Sequence, residues 1–231
     1  MTDISHEVVR MAVYRQAMGL TGLYAIIDPE HCGIWQPREL AQQLLEGGCG
    51  ALQLRAKKLS DAAYADLAQH LAYACRARGV PFFVNDRVHL VKSIGADGVH
   101  LGQNDMPIAE ARELLPDHVI GLSTHSPDQA TTAFMDGLAD LIGFGPMFDT
   151  RTKEDADPVV GLDALRQVCQ QATLPVVAIG GIELDRAAKV FGAGAHMVAM
   201  ISALSQSAQP QRAAARVHGL YGTSTYLNSP R

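Results

Sequence analysis

The sequence predicts a (β/α)8 barrel of the TIM-barrel class, an α/β fold in a single domain. Eight short apolar runs alternate with longer segments whose apolar residues recur at three- and four-residue spacing. Short apolar runs with little polar alternation are typical of parallel strands covered on both faces, and about eight strand–helix units in ~200 residues is the count of this fold. A doubly wound open sheet is the alternative, but no Gly-x-Gly-x-x-Gly follows the first predicted strand.

The apolar runs are the predicted strands, and the amphipathic segments between them are the predicted helices. The strands are expected at Leu23–Ile27, Ala51–Leu54, Phe82–Val84, Gly98–Leu101, Val119–Leu122, Leu141–Phe144, Val176–Ile179 and Met197–Met200. Helical spacing is clear in Pro37–Glu46, Ser60–Arg78 and Gly161–Gln171.

Both ends of the chain lie outside this pattern. Residues 1–21 form a short N-terminal extension, in which residues 3–18 could form a helix that covers the barrel floor. We expect the catalytic barrel over residues 22–204, and the end of a last helix followed by a flexible tail over residues 205–231. The loop at about residues 145–160 is long for a compact domain, which indicates a functional or mobile segment.

The composition favours a soluble, acidic, globular protein of the cytoplasm. The chain is 48% hydrophobic and carries a net charge of −5, which argues against nucleic-acid partners. An anionic ligand therefore needs a local basic cluster. The four cysteines have no metal-like spacing and indicate a reducing compartment. No apolar run approaches a membrane span, and the N-terminus lacks a signal-peptide layout. A homo-oligomer is compatible with the sequence but not specified by it.

Polar residues follow the predicted strands, and in this fold the active site is built at the C-terminal ends of the strands. After the second strand, alternation places Gln53, Arg55 and Lys57 on one face, so that two cations and an amide point to the barrel mouth. A solvated strand end with ordinary surface charges is the alternative.

Two carboxylates follow the third and fourth strands. Asp86 comes directly after Asn85, and Asp105 follows the run that begins at His100. Mg²⁺ is typically held by one or two carboxylates with phosphates and waters, and the basic cluster beside them favours a metal site. Taken alone, Asp86 is at least as well explained as a helix N-cap, and Asp105 as a turn residue before Pro107.

The fifth strand and the loop after the sixth add hydroxyls and cations. Ser123 could face the pocket, and Ser126 is a predicted N-cap. His125 is not assigned to catalysis, since a single histidine at a strand end more often makes a structural hydrogen bond. The loop carries two hydroxyls and two cations in succession: Thr150, Arg151, Thr152 and Lys153. Such a cluster can contact phosphate, although a solvated loop would look similar.

The last two strands end in a phosphate-binding pattern. The adjacent glycines Gly180 and Gly181 let backbone N–H groups approach an anion. Ile201 and Ser202 stand directly before a predicted helix, whose N-terminus carries a partial positive charge. This pairing occurs in barrels of many activities, so it specifies phosphate and not a reaction.

These residues together predict two anion-binding regions at one mouth. The first suits a pyrophosphate and comprises Arg55, Lys57, Asn85, Lys153 and a divalent cation. The second suits a monophosphate and comprises Gly181, Ile201, Ser202 and the hydroxyls of Thr150 and Thr152. A site rich in anion-holding groups and poor in bases favours displacement of pyrophosphate over proton abstraction.

The motifs occur in a fixed order: Gln-x-Arg-x-Lys, Asn-Asp, Val-His-Leu-Gly-Gln-x-Asp, Ser-Thr-His-Ser, Gly-Pro-x-Phe-x-Thr-x-Thr-Lys and Ala-Ile-Gly-Gly-Ile. This ordered set resembles the thiamine phosphate synthase family over roughly residues 22–204. Residues 99–105 and 150–153 are its most specific parts.

The resemblance implies a transferase of thiamine biosynthesis that joins 4-amino-2-methyl-5-hydroxymethylpyrimidine diphosphate to 4-methyl-5-(2-phosphoethyl)thiazole. The products would be thiamine phosphate and pyrophosphate, formed by a dissociative, Mg²⁺-assisted displacement in which pyrophosphate leaves first.

The resemblance also assigns the site by position. Pyrimidine diphosphate binding falls to Gln53, Arg55, Lys57, Asn85, Ser123 and Lys153, with Arg55, Lys57, Ser123 and Lys153 as the catalytic candidates. Mg²⁺ falls to Asp86 and Asp105, and the thiazole phosphate to Thr150, Thr152, Gly181, Ile201 and Ser202. Arg151, where the family often has a small residue or proline, is a candidate anion contact on the thiazole side, with a solvent-exposed side chain as the alternative.

Two alternatives compete with the synthase. A thiazole tautomerase-like relative shares the barrel and the phosphate site, but it needs neither Mg²⁺ nor a pyrophosphate site. A non-catalytic binder of thiamine precursors would release no pyrophosphate. The intact motifs around Asp105 and Lys153 favour the synthase.

Overall fold

The computed structural model describes residue 17 and residues 19–150 and 157–227, and its centre is a closed barrel of eight parallel strands. Each strand is hydrogen-bonded to the next along the chain, and the eighth pairs with the first. The strands are β1 (Gly22–Ile27), β2 (Ala51–Leu54), β3 (Phe82–Asn85), β4 (Gly98–Leu101), β5 (Val119–Thr124), β6 (Leu141–Phe144), β7 (Val176–Ala178) and β8 (Met197–Met200). The predicted (β/α)8 barrel is therefore confirmed, and every predicted strand is present.

Helices lie between the strands along the chain and follow the eighth. They are α1 (Pro37–Glu46), α2 (Asp61–Arg76), α3 (Val91–Ile94), α4 (Ile108–Leu114), α5 (Pro127–Asp136), α6 (Gly161–Gln171), α7 (Ala187–Gly192), α8 (Ser202–Ser205) and α9 (Pro210–Leu227). A 3-10 turn, Val88–Leu90, leads into α3. Over the described residues, no helix combines the length and apolar character needed to cross a membrane.

Local signals in the sequence explain where helices begin. Ser60 Oγ accepts a hydrogen bond from the Ala63 N–H (3.4 Å) at the start of α2. Ser126 Oγ accepts from the Gln129 N–H (3.2 Å) at the start of α5, so Ser126 is the N-cap that the sequence predicts. Pro127 follows as the first residue of α5, where its fixed φ suits the first turn.

The side chains that point into the barrel form a core of their own. Strand alternation directs every second residue inward, and the lower inward positions are apolar and buried. They are Tyr24, Ile26, Ala51, Phe83, Val119, Leu141, Val177, Met197 and Ala199. A larger core lies between the outward faces of the strands and the helices. Polar residues occupy the inward positions nearer to the strand ends, so the apolar core becomes the base of a polar cavity.

The residues just before β1 cover the lower end of the barrel. Ala17 and Leu20 are buried against the inner core. The sequence predicts a floor-covering helix over residues 3–18. Except for residue 17, that segment lies outside the described residues, so the helix stays a prediction.

The C-terminal segment differs from its prediction. The sequence predicts the end of a helix and then a flexible tail over residues 205–231, whereas Pro210–Leu227 forms the separate helix α9. This helix packs against β1, α1 and α7, and its Ala214 and Val217 side chains are fully buried. The helical part of this segment therefore extends to Leu227, because apolar residues at helical spacing, among them Val217, Leu220 and Tyr221, pack it against the core. The flexible tail stays a prediction for residues 228–231, which lie outside the described residues.

Close packing of α9 on the end of α1 depends on Gly47. A Cβ at Gly47 would lie 2.4 Å from the carbonyl oxygen of Gln211 and 2.6 Å from the Cβ of Ala214. The backbone of Gly47 has φ −75° and ψ −4°, which alanine adopts readily. Contact with α9, and not backbone strain, therefore excludes a side chain at this position.

We expect Gly47→Ala to lower the free energy of unfolding by about 1–3 kcal/mol, the usual cost of overpacking. Urea denaturation measures this change. Gly219→Ala in α9 is the matched control, since nothing lies within 4 Å of a Cβ there, and alanine in a helix is favoured over glycine by up to about 1 kcal/mol. Equal stability of Gly47→Ala and the wild type would contradict the docking of α9 on α1.

Candidate active site

A cavity of about 210 Å³ opens at the C-terminal ends of the strands, where barrels of this class have their active sites. All of the predicted site residues that the structure describes line it: Gln53, Arg55, Lys57, Asn85, Asp86, Asp105, Ser123, Thr150, Gly181, Ile201 and Ser202. Arg151, Thr152 and Lys153 lie outside the described residues, so their placement stays a prediction.

A buried carboxylate holds the guanidinium of Arg55. Arg55 Nη1 donates to Asp28 Oδ2 at 2.5 Å, and Asp28 is only 1% exposed. The Oδ1 atom of Asp28 accepts the N–H of Glu30 at 3.0 Å. Asp28 therefore fixes the position of the positive charge that Arg55 presents to the cavity. Asp28 is not among the residues that the sequence predicts; its place directly after the first predicted strand is the signal that could have found it.

Gln53 and Asn85 are joined to each other and to the inner core. Tyr24 Oη donates to Gln53 Oε1 at 2.8 Å, and Gln53 Nε2 donates to Asn85 Oδ1 at 3.2 Å. Tyr24 and Gln53 are buried, at 2% and 3% exposure. A chain of hydrogen bonds thus runs from the floor of the cavity to its rim.

The carboxyl groups of Asp86 and Asp105 interact directly. Burial raises the pKa of Asp86 to about 6, with further contributions from a hydrogen bond to Asp105 and from its charge. Lys57 opposes this rise, and its Nζ lies 3.5 Å from Asp86 Oδ2. Asp86 also has a φ of 62°, a left-handed conformation that is uncommon outside glycine and concentrated at functional sites.

For each carboxylate the sequence also offers a purely structural role, and the structure supports that role for Asp105 but not for Asp86. The N-cap interpretation of Asp86 is wrong, because Arg87 occupies the cap position of the following 3-10 turn and no side chain caps that turn. The turn interpretation of Asp105 is confirmed, because its Oδ2 accepts the N–H of Gly102 at 2.6 Å. Asp105 therefore closes its own turn and also faces Asp86.

The acidic pair fits a hard divalent cation. Two adjacent carboxylates, one with a raised pKa, offer oxygen ligands and a like-charge repulsion that a cation would relieve. Over the described residues, no group of three or more His, Cys, Asp and Glu side chains could hold a metal ion. Mg²⁺ usually takes one or two carboxylates and completes its shell with phosphates and waters, so the two carboxylates present are enough for it.

His100 occupies the barrel interior beside Ser123. Its Nε2 lies 3.0 Å from Ser123 Oγ. Glycines on the next two strands make room for the ring, since a Cβ at Gly121 would lie 2.4 Å from His100 Nδ1 and one at Gly143 would lie 3.1 Å from Nε2. Burial lowers the pKa of His100 to about 4, so the ring is neutral near pH 7. The sequence assigns His100 no role; inward-facing glycines on two neighbouring strands are the signal that could have found it.

His125 makes the structural hydrogen bond expected of it. Its Nδ1 lies 2.8 Å from the carbonyl oxygen of Gly145, and because a carbonyl can only accept, Nδ1 is the donor. The opposite ring atom, Nε2, lies 3.5 Å from Asp157 Oδ2. The ring also lines the cavity, so His125 joins the fifth strand end to the loop after β6.

The glycine pair after β7 lies directly against the loop after β6. Gly181 has a φ of 63°, and a Cβ there would lie 2.3 Å from the carbonyl oxygen of Asp149. Only glycine meets both constraints. The helix after β8 is the single turn α8, which begins at Ser202. Gly181, Ser202 and Thr150 border the same cavity, as the second anion region requires.

Fold and site together define a class of protein. The barrel presents a basic strand end, an acidic pair and a glycine-lined corner around one cavity, which suits the binding of phosphorylated small molecules. Residues 23–204 match the family model described as thiamine monophosphate synthase. The chain belongs to this family, as its motifs predict.

Similar proteins share most of their length with this chain. The thiamine-phosphate synthase of Laribacter hongkongensis is 40% identical over 202 residues, which cover 87% of this chain and 95% of that protein. The thiamine-phosphate synthase of Methanocella arvoryzae is 44% identical over 184 residues, which cover 79% of this chain and 86% of that protein.

Solved structures agree with the family assignment. The thiamine phosphate pyrophosphorylase from Pyrococcus furiosus has a TM-score of 0.82 at 33% identity, and the match covers 89% of this chain and 98% of that one. The (S)-3-O-geranylgeranylglyceryl phosphate synthase from Thermoplasma acidophilum has a TM-score of 0.63 at 15% identity, with 92% and 97% covered. The second likeness shows the shared barrel fold alone.

In metal-free protein, we expect the Asp86 carboxyl to titrate with a pKa of about 6. ¹³C NMR of the carboxyl carbon measures this titration. Asp105→Asn should lower this pKa, because it removes the neighbouring negative charge. A carboxyl with a raised pKa binds more protons in the folded state than in the unfolded state, so it lowers stability as the pH rises from about 4 to 6. Asp105→Asn should therefore increase the free energy of unfolding more at pH 7 than at pH 4. An unchanged Asp86 pKa in the variant would contradict the pairing.

Proposed function

We propose that this protein joins 4-amino-2-methyl-5-hydroxymethylpyrimidine diphosphate to 4-methyl-5-(2-phosphoethyl)thiazole, with release of pyrophosphate. The observation that carries the proposal is one cavity in which every predicted site residue of the described chain comes together. Thiamine-phosphate synthases about as long as this chain are 40% and 44% identical to it. Free cysteines among the described residues support a cytoplasmic location.

We assign the pyrimidine diphosphate to the side of the cavity formed by β2, β3 and β5. Arg55 and Lys57 supply positive charge for the diphosphate, and Asn85 and Gln53 supply amide groups. Ser123, beside the neutral ring of His100, supplies a hydroxyl. Lys153 is expected to add a third cation from the loop after β6.

We assign the thiazole phosphate to the opposite side, at the ends of β7 and β8. Gly181 lines this side of the cavity, and without a side chain its backbone can come close to an anion. Ile201 and Ser202 border the same corner, and Thr150 adds a hydroxyl from the loop after β6. Thr152 and Arg151 are expected to extend this contact.

Asp86 and Asp105 would hold Mg²⁺ beside the diphosphate. When bound, the ion would supply positive charge to the leaving group. The raised pKa of Asp86 supports this assignment, because two adjacent carboxylates without a cation disfavour full ionisation. Lys57 connects the cations of the diphosphate side with this acidic pair, because its Nζ lies 3.5 Å from Asp86 Oδ2.

The reaction needs two changes in bonding. The bond between the methylene carbon of the pyrimidine and the diphosphate oxygen breaks, and its electron pair leaves with the diphosphate. The thiazole nitrogen then supplies the electron pair of the new carbon–nitrogen bond. Neither step requires the protein to remove a proton, which agrees with a site that has fixed cations and a neutral His100.

The protein's own contribution is to stabilise the leaving anion and to orient the two rings. Arg55 is held in place before the reaction, so its charge needs no reorganisation when the diphosphate departs. Apolar side chains of Ile26, Val177 and Ile179 line the cavity. They would limit the access of water, which competes with the thiazole nitrogen for the electron-poor carbon.

The decisive assay measures pyrophosphate release from both substrates with Mg²⁺ and then with EDTA. We expect release that requires the thiazole phosphate and stops when EDTA removes the metal. No release from folded protein would contradict the proposal and favour the tautomerase-like alternative, which an isomerisation assay on a thiazole phosphate carboxylate would detect. Release that EDTA does not affect would contradict the metal site at Asp86 and Asp105.

Arg55→Ala and Lys153→Ala should each lower the rate by about 10²–10³, the scale for removal of one preorganised donor. Single-turnover kinetics separates this effect on chemistry from an effect on product release. Arg38→Ala is the control, because Arg38 pairs with Asp66 at an exposed position away from the cavity. A loss below about threefold would contradict the role of the residue concerned, given the size of single-donor effects.

A further inference from the structure

The orientation of the Asn85 amide follows from a tyrosine that lies below it in the barrel. Tyr24 lies in the inner core, where its ring packs against Phe83 with 5.6 Å between centroids. Its hydroxyl is hydrogen-bonded to the Gln53 amide, and the Gln53 amide is hydrogen-bonded to the Asn85 amide. An amide has one accepting and one donating end, so the direction of each bond in this chain constrains the next.

The hydroxyl of Tyr24 determines which end of the Gln53 amide faces the inner core. Burial raises the pKa of Tyr24 well above its usual value, so the hydroxyl keeps its proton. Across the described part of the chain, Gln53 is its one hydrogen-bond partner. If Gln53 turned its NH₂ group toward Tyr24, the buried O–H would have no acceptor, which is unfavourable. The O–H therefore donates, and Gln53 accepts through Oε1.

The orientation of the Gln53 amide in turn determines the orientation of the Asn85 amide. With Oε1 on Tyr24, Gln53 must direct Nε2 toward Asn85, and Nε2 can only donate. Asn85 accepts through Oδ1 at 3.2 Å. Its NH₂ group is then the end left for the cavity that Asn85 lines. An amide NH₂ attracts a diphosphate oxygen, whereas the carbonyl oxygen of a reversed Asn85 would repel it.

We propose that Tyr24 is a positioning residue, which acts through Gln53 to present the Asn85 NH₂ group as a donor to the substrate diphosphate. This inference rests on the proposed function for the identity of the substrate. The hydrogen-bond chain itself depends only on the contacts of Tyr24, Gln53 and Asn85. Tyr24 touches no reacting atom in this account.

Tyr24→Phe keeps the ring and removes only the hydroxyl. Without it, the Gln53 amide can reverse, and Asn85 can turn its carbonyl oxygen toward the diphosphate. We expect kcat/KM for the pyrimidine diphosphate to fall about ten- to a hundredfold, mainly through KM, as for the loss of one hydrogen bond to a charged group. The KM for the thiazole phosphate should change less than about twofold, because its site lies at other strand ends.

A double-mutant cycle separates positioning from a general structural effect. In an Asn85→Ala background, Tyr24→Phe should lower kcat/KM less than about twofold, since the group it orients is gone. Equal losses in the wild-type and Asn85→Ala backgrounds would overturn the proposal. Thermal unfolding of all four proteins shows whether each is folded at the assay temperature.

Calorimetry of the binding of inorganic pyrophosphate with Mg²⁺ tests the hydrogen-bond chain from Tyr24 to Asn85 without catalysis. Tyr24→Phe should weaken this binding about tenfold or more by the same argument, and unchanged binding would overturn the proposal. A wild-type protein that binds pyrophosphate but makes no thiamine phosphate would contradict the proposed function and not the positioning role.

A measurement on the wild-type protein covers the case in which Tyr24→Phe does not fold. The Asn85 side-chain amide resonance, identified by its absence from the Asn85→Ala spectrum, should shift when pyrophosphate and Mg²⁺ are added. The Gln53 amide proton that is donated to Asn85 Oδ1 should exchange slowly with solvent, since Gln53 is buried and Nε2 is hydrogen-bonded. An Asn85 resonance that does not respond to pyrophosphate would overturn the proposal.

Discussion

Closure of the parallel barrel is the constraint on which the rest of the structure depends. Because all eight strands run in one direction and β8 pairs with β1, their C-terminal ends meet around one rim. The two-residue period of each strand then decides which residues near the rim point inward. Apolar residues fill the lower inward positions and polar residues the upper ones. One alternating pattern therefore builds both the inner core and the cavity above it.

Polar groups this close to an apolar core are stable only if each has a partner. Arg55 has Asp28, and Gln53 has Tyr24 and Asn85. Two groups at the site depart from this rule. The buried Nδ1 of His100 has no hydrogen-bond partner among the described residues. At the pair formed by Asp86 and Asp105, burial together with the neighbouring Asp105 carboxylate raises the pKa of Asp86. The contact between Asp86 and Asp105 is unfavourable without a cation, and it lies where a divalent cation would be bound.

The sequence alone predicts the barrel and most of the cavity, because both follow from local patterns. Apolar runs mark the strands, and the residues after each run must lie at the mouth. The pairing of Asp28 with Arg55 and of Tyr24 with Gln53 could not be predicted in the same way, since the paired residues lie 27 and 29 positions apart. Such contacts depend on the stagger between β1 and β2. The sequence predicts helical residues after residue 205 but not the docking of α9 on α1, because that docking relies on small residues such as Ala214 and on the absence of a side chain at Gly47.

The ion pair between Arg55 and Asp28 also bears on how the product would escape. A guanidinium that shares its charge with a buried carboxylate attracts an anion less strongly than an isolated one. The departing pyrophosphate carries more negative charge than the diphosphate ester from which it forms, so a cluster of unpaired cations would retain it. Because Asp28 partly neutralises the charge of Arg55, the guanidinium would stay in position at the cavity but bind pyrophosphate less strongly. In the proposed reaction, Asp28 would therefore favour turnover by limiting product inhibition.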